Sequence, residues 1–249
     1  MKTVSVVIPC FNCIRTIDKA LQSVYDQGYK FLEIVCVDDC STDNTYEHIK
    51  INHPSVKLLK NEINLGPAVS RNKGVRLCSG EFVAFLDADD IWFPNKTNIQ
   101  IELIDEYGLD FIGSSFTINT DDSPSAVSQH EIIKLHNLAF KNYFPTPSVI
   151  MRKNLVCFNE SQRFSEDYDL WLRLAKDKRI MAYVKTPLIS LGKPSYGHSG
   201  LSSNLIKMQL GELSSINKNL KGNWVCFFAL SWSLIKFMRR LCVVFVRKL

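Results

Sequence analysis

Apolar and polar positions alternate in blocks along the first half of the chain. Val4 to Ile8 is a short β-rich run stopped by Pro9, and Ile17, Leu21, Val24 and Tyr25 then share one face of a helical repeat. Phe31 to Val37 predicts a second buried strand. Ser41 and Thr42 can cap a helix running to about Ile51, and Val56 to Leu59 predicts a third strand. Gly66-Pro67 opens a helix to about Leu77, with proline in its first turn, and Phe82 to Leu86 is a fourth strand, apolar throughout. Apolar runs separated by helices predict an α/β fold with a Rossmann-like, mostly parallel central sheet flanked by helices.

The second half is less regular. Pro94 to Tyr107 predicts a helix, Phe111 to Ile118 a strand, residues 119–130 a polar loop, Ser148 to Met151 a short strand and Leu170 to Lys178 a helix. Residues 186–204, rich in Ser, Gly and Pro, predict a mobile loop. From Asn223 onward an apolar stretch with Trp224 and Trp232 is interrupted by Lys236 and Arg239-Arg240 and resumes as Leu241 to Val246. Its uninterrupted part is shorter than the ~20 residues a spanning helix needs. Aromatic anchors and a basic rim instead predict an amphipathic helix lying in a membrane interface, against the alternative of a helix packed on the protein's own core. The expected division is 1–110, 111–205 and 206–249, the last being the helical, membrane-associated tail.

Charge sharpens this picture. The formal net charge of +5 suggests nucleic acid, but residues 221–249 hold six basic residues and no acid, leaving 24 basic against 25 acidic residues in the first 220. The basic character belongs to the tail, so no nucleic-acid partner is expected. The chain begins Met1-Lys2-Thr3 and runs into a strand, with no signal-peptide pattern, so a reducing, cytoplasmic setting with free thiols is expected. Cys10-x-x-Cys13 and Cys36-x-x-x-Cys40 raise a zinc possibility, disfavoured because a zinc there would block the better motif at the same strand ends.

In a sheet of this kind ligands bind beyond the carboxyl ends of the strands. Those ends carry Pro9-Cys10-Phe11-Asn12, Asp38-Asp39-Cys40-Ser41 and Asp87-Ala88-Asp89-Asp90. Carboxylates at i and i+2 after a strand can hold a divalent cation through oxygen, and Mg²⁺ or Mn²⁺ suits such a site with phosphates completing the shell. A solvated acidic turn would also place acids there, but these follow five apolar residues and precede Ile91-Trp92. An acid after the second strand commonly reads a nucleoside; Asp38-Asp39 can also cap the following helix. Arg71 lies one turn into the helix opened by Gly66-Pro67. In Phe164-Ser165-Glu166-Asp167-Tyr168-Asp169-Leu170-Trp171 three acids open a helix, either complementing its dipole or supplying a general base for an attacking hydroxyl.

In this order, these segments resemble the family-2 glycosyltransferases of the GT-A fold, of the type that builds bacterial surface polysaccharides such as O-antigen or capsule. The resemblance covers about residues 3–200: Val4 to Asn12, Asp38-Asp39-x-Ser41-x-Asp43-x-Thr45, Asn64-x-Gly66 with Arg71-Asn72-x-Gly74, Asp87-x-Asp89, and Glu166-Asp167 followed by Trp171. It implies an inverting transferase that moves a sugar from a nucleotide-diphosphate donor, UDP-linked by preference, to a saccharide hydroxyl on a lipid diphosphate. It implies that Pro9, Phe11, Asn12, Asp38, Asp39 and Arg71 serve the nucleotide, Asp87 the ribose or the metal shell, and Asp89 the Mn²⁺ or Mg²⁺. Asp167 is the implied base, Glu166 positions the acceptor, and His198 makes a further metal or diphosphate contact. The expected place is the inner face of the cytoplasmic membrane.

Other classes fit less well. A different acceptor, protein or simple lipid, stays open. A non-catalytic nucleotide-sugar-binding protein would have lost the metal ligand or the base, whereas Asp89 and Asp167 are both present. A nucleotidyltransferase needs a Gly-rich basic loop after the first strand and a dehydrogenase a Gly-x-Gly-x-x-Gly there; Pro9-Cys10-Phe11-Asn12-Cys13 is neither.

Overall fold

Val4–Cys10 (β1), Leu32–Asp38 (β2), Lys57–Lys60 (β3) and Phe82–Phe85 (β4) form the first half of the sheet, β1, β2 and β4 being buried along most of their length. The computed structural model describes residues 2–30, 32–120, 122, 129–194, 197 and 200–246. Between these strands run Ile17–Tyr25 (α1), Thr45–Asn52 (α2) and Pro67–Leu77 (α3). All pairings among β1 to β4 are parallel, in the register Cys10 to Asp38 and Asp38 to Lys60, so their carboxyl ends share one rim. α3 lies close on the sheet because Gly74 has no side chain: a Cβ there would fall 2.5 Å from Val7.

The second half contributes Ile91–Trp92 (β5), Lys96–Tyr107 (α4), Phe111–Ile118 (β6), His130–Ile133 (β7), Leu135–Phe140 (α5), Ile150–Arg152 (β8), Glu166–Lys176 (α6), Met181–Leu191 (β9), Leu205–Leu220 (α7) and Trp224–Val246 (α8). The described strands form one sheet in the order β3-β2-β1-β4-β8-β6-β9-β5, with β7 also on β9. The sheet is mixed, since β8 runs antiparallel to β4 and β6, and β5 and β7 antiparallel to β9. β6 and β9 are parallel to each other, so both end on the rim where β1, β2 and β4 end. One apolar core lies under α1 and α4, and a second under α3, α5, α6, α7 and α8.

One expectation is corrected. Residues 186–191 are not loop but the end of β9, whose pairing with β6 absorbs Pro187 through shifts at Ser114/Ser115 and Ser115/Phe116. The last helix is not set apart from the fold. On one face of α8, Cys226, Ala229 and Ser233 are buried, and Lys236 and Arg240 both pair with Glu212 of α7 at 2.8 Å. Its other face exposes Trp224, Phe227, Ile235, Met238 and Phe245. Packing and an unpartnered apolar stripe therefore coexist on one helix. No helix among the described residues is long and apolar enough to cross a membrane.

Candidate active site

Two loops form one side of the rim. Asn12 adopts a left-handed backbone (φ 50°), and its Oδ1 accepts from Thr42 N–H (2.8 Å), while its own N–H donates to Ser41 Oγ (3.0 Å). Cys13 N–H donates to Thr45 Oγ1 (3.0 Å) and Ile14 N–H to Asp43 Oδ2 (3.3 Å), so the loop after β1 is stitched to the loop after β2. Phe11 is left exposed at its tip and Pro9 is half-buried beneath it. Asp39 is buried and accepts from Leu65 N–H (2.9 Å), Gly66 N–H (2.7 Å) and Asn61 Nδ2 (2.8 Å); it fixes the entry to α3. Asp38 is buried too; Ser41 N–H donates to its Oδ2, and its Oδ1 has no hydrogen-bond partner among the described residues.

Arg71 ties the two halves of the site together. Its side chain is buried, with Nη2 donating to Asp87 Oδ1 (2.9 Å), Nη1 donating to Glu166 Oε1 (2.8 Å), and Phe158 under the guanidinium. Burial works against its charge, yet Asp87 and Glu166 hold it above the usual arginine value. Such a pair of charge-assisted bonds fixes both carboxylates relative to each other.

Asp87 to Asp90 form a turn after β4, closed by Asp90 N–H to Asp87 O (3.0 Å). The three acids have different partners. Asp87 faces Arg71. Asp89 Oδ2 meets Lys193 Nζ at 2.5 Å. Asp90 is buried, accepts Gly192 N–H (2.8 Å), and is pushed up to about 8 by burial and by the charges of Asp87 and Asp89. Burial opposes the charge on Lys193, but the Asp89 bond holds it above the usual lysine value. Gly192 is required here, since a Cβ would stand 2.0 Å from the Asp89 carbonyl oxygen. Asp87 and Asp89, each half-exposed beyond the end of β4, offer carboxylate oxygens of the kind a hard divalent cation takes, so this pair fits a Mn²⁺ or Mg²⁺ whose remaining positions phosphate and water would fill.

The opposite wall is the first turn of α6. Glu166 is pushed up to about 7 by burial, against the pull of Arg71 and with the repulsion of Asp167. Asp167 is half-buried; Tyr168 N–H donates to its Oδ1 (2.7 Å) and Thr146 Oγ1 to its Oδ2 (3.3 Å). Its surroundings raise it above the ordinary aspartate value, desolvation being the largest cause. Asp169 points elsewhere: fully buried, it accepts from Arg173 Nε (3.0 Å) and from Asn219 Nδ2 of α7 (3.1 Å). It is an anchor for α6, which removes it from the three acids that could serve as base. α7 also supports this wall, because Ser165 Oγ donates to Met208 O and Gln162 Nε2 to Ser215 Oγ.

The structure thus brings Arg71, Asp87, Asp89, Glu166 and Asp167 to one place and gives Asn12 and Asp39 internal partners in the loops beside it. His198 lies outside the described residues. The cysteines Cys10, Cys13 and Cys36 are buried and Cys40 half-buried, all free, and among the described residues no cysteine belongs to a cluster with metal-ligand spacing. Sequence reasoning missed Lys193 and Thr146. Both follow from sheet direction: β9 ends on the rim, so Gly192-Lys193 must follow there, and β8 starts on it, so Thr146 must precede it there.

The profile of "Glycosyl transferase family 2" matches residues 5–165. The *Escherichia coli* protein UDP-Glc:alpha-D-GlcNAc-diphosphoundecaprenol beta-1,3-glucosyltransferase WfgD is 32% identical over 212 residues, covering 82% of this chain and 81% of its own. The E. coli protein WfaP, which bears the same enzyme name, is 31% identical over 182 residues, 70% of each chain. Among solved structures, *S. aureus* TarS 1-349 in complex with UDP has a TM-score of 0.70 at 21% identity, over 93% of this chain and 70% of that one. Mannosyltransferase PcManGT from *Pyrobaculum calidifontis*, in complex with GDP-Man and Mn2+, has a TM-score of 0.67 at 16% identity, over 94% of this chain and 73% of that one. These likenesses show the fold, GT-A, a fold whose members generally use a divalent metal. The chain belongs to glycosyl transferase family 2 and is a glycosyltransferase.

Proposed function

We propose that the chain transfers a sugar, with inversion, from a UDP-sugar to a hydroxyl of a saccharide carried on a lipid diphosphate, in the assembly of bacterial cell-surface polysaccharide. The observation that carries the proposal is the bridge from Asp87 through Arg71 to Glu166, which sets the Asp167 carboxylate across from the Asp87/Asp89 pair. Glu166 is held by Arg71 and Asp169 by α7, which leaves Asp167 to accept the proton of the acceptor hydroxyl. As that oxygen bonds to the anomeric carbon, the bond to the nucleoside diphosphate breaks on the opposite face. One base suffices for such a single displacement.

Asp89, with Asp87, would hold the Mn²⁺ or Mg²⁺, which when bound neutralises charge on the departing diphosphate. Lys193 adds a second positive charge at the same end. Phe11 offers a face to the base, while Pro9, Asn12, Asp38 and Asp39 hold the loops that seat the nucleoside. Residues 1–110 form the nucleotide-sugar half, 111–205 the acceptor half with the base, and 206–249 the helical tail. Two relatives are named for UDP-Glc and a diphosphoundecaprenol-linked GlcNAc, which supports that donor and acceptor class here.

The exposed apolar face of α8 would lie on the inner face of the cytoplasmic membrane, bringing the site to a lipid-linked acceptor. Gly197 packs against Val244, so α8 touches the same loop that carries Lys193. The test is a panel of nucleotide-sugars assayed with a synthetic GlcNAc-diphosphate-lipid and Mn²⁺. Transfer from a UDP-sugar supports the proposal; transfer only to a lipid-free saccharide or a protein overturns the acceptor.

A further inference from the structure

We propose that Asp18, His48 and His53 form a second metal site, of the zinc type, on the outer side of the helices behind the nucleotide-binding loops. Asp18 lies in the first turn of α1, His48 in α2, and His53 at its end. One carboxylate oxygen, Asp18 Oδ1, meets His48 Nε2 at 2.7 Å and His53 Nε2 at 2.9 Å. All three ligand atoms lie within 4.8 Å of one another, and among the described residues no other group of His, Cys, Asp or Glu meets that spacing.

Zinc binds imidazole nitrogen and carboxylate oxygen at about 2.0–2.2 Å, which in a tetrahedral shell separates ligands by about 3.4 Å. Asp18 is free to turn because its side chain is 58% exposed. The histidines have close neighbours: Tyr25 stacks on His53 at 6.0 Å with its hydroxyl 3.3 Å from Nδ1, and Asn52 Nδ2 lies 3.2 Å from His48 Nδ1. Ligation through Nε2 puts the proton of each ring on Nδ1, and at His53 the Tyr25 hydroxyl oxygen is placed to accept it. Two imidazoles and one carboxylate, with a water in the fourth position, select a zinc-like transition ion over Mg²⁺.

The site spans the two helices that follow β1 and β2, whose preceding loops are already stitched together through Asn12, Cys13, Asp43 and Thr45. A metal there clamps α1 to α2 from behind that seam. It is remote in chemistry from the carboxylate cluster of the transfer reaction and independent of it.

The test is Zn²⁺ binding to the full chain by calorimetry, with His48→Gln and His53→Gln beside the native protein, and Co²⁺ absorption on the native protein. One zinc per chain, weakened on the order of 10–100-fold or more by either substitution, is expected. A rise in Tm with Zn²⁺ that both variants lose is expected as well, and the Co²⁺ spectrum should show tetrahedral bands without thiolate charge transfer. Binding unchanged in both variants, a thiolate band from exposed Cys157 or Cys242, or no zinc bound by the native chain would each overturn the site.

Discussion

The Arg71 guanidinium and the Glu166 carboxylate meet at 2.8 Å although 95 residues separate them in sequence, and both are almost fully buried. Removing one partner of a buried pair leaves the other charge without compensation, which costs about 3–5 kcal/mol. Arg71→Met is therefore expected to lose about 3 kcal/mol or more of stability in denaturant titration and to lose transfer activity. A variant as stable as the native chain would show that the bridge does not hold the site together.

Asp167→Asn keeps the shape of the side chain and removes the proposed base. Turnover is expected to fall by about 10²–10⁴-fold with little change in donor KM. In the native enzyme Asp167 sits above the ordinary aspartate range, so the acid limb of kcat/KM should lie above that range too. The base is ionised above its value and activity is lost as pH falls through it. Near-native turnover would move the base to Glu166.

Lys193 pairs with Asp89, so on the proposed assignment it would compete there with a metal ion in the absence of donor. Lys193→Ala should bind Mn²⁺ more tightly than the native chain when no nucleotide is present, yet bind UDP more weakly in its presence. Calorimetry reads both; an unchanged metal affinity would show that the ion pair plays no part there.

Asp90 carries a pH signature of its own. Its folded-state value is raised to about 8, above the ordinary value near 4 of the unfolded chain. Its contribution to stability is complete below pH of about 4 and is lost as pH rises to about 8. Metal-free protein should lose stability across that window, and Asp90→Asn should lose less. Parallel curves for the two proteins would contradict this.

How legible was this in the sequence? The rim was, because β1, β2 and β4 are local apolar runs whose ends are marked by Pro9, Asp38-Asp39 and Asp87. The four parallel strands needed only their own periodicity. β9 was not legible, since Pro187, Ser190 and Gly192 read as loop until β6 and β7 pair with the strand. Lys193 was hidden with it. Asp169 looked like one of three equivalent acids, and only contact with Asn219, 50 residues on, assigns it to packing. α8 read as an amphipathic helix, and the fold then divided its basic residues: Lys236 and Arg240 serve Glu212 rather than a basic rim.

That division yields one more expectation. The apolar stripe of α8 is separate from its packing face, so Phe227→Ser with Ile235→Ser should release the protein from anionic vesicles while leaving its melting temperature within a few degrees. Unchanged sedimentation with vesicles would place membrane contact elsewhere.

The proposed transfer is a single displacement, with Asp167 as the base and Asp89 at the diphosphate end of the donor. The most direct measurement is the anomeric configuration of the sugar transferred from UDP-glucose to a GlcNAc-diphosphate-lipid, read by NMR for the native chain beside Asp167→Asn. A β-linked product from the α-linked donor, lost in the variant, is the predicted result. An α-linked product, or a β-linked product formed equally well by Asp167→Asn, would contradict it.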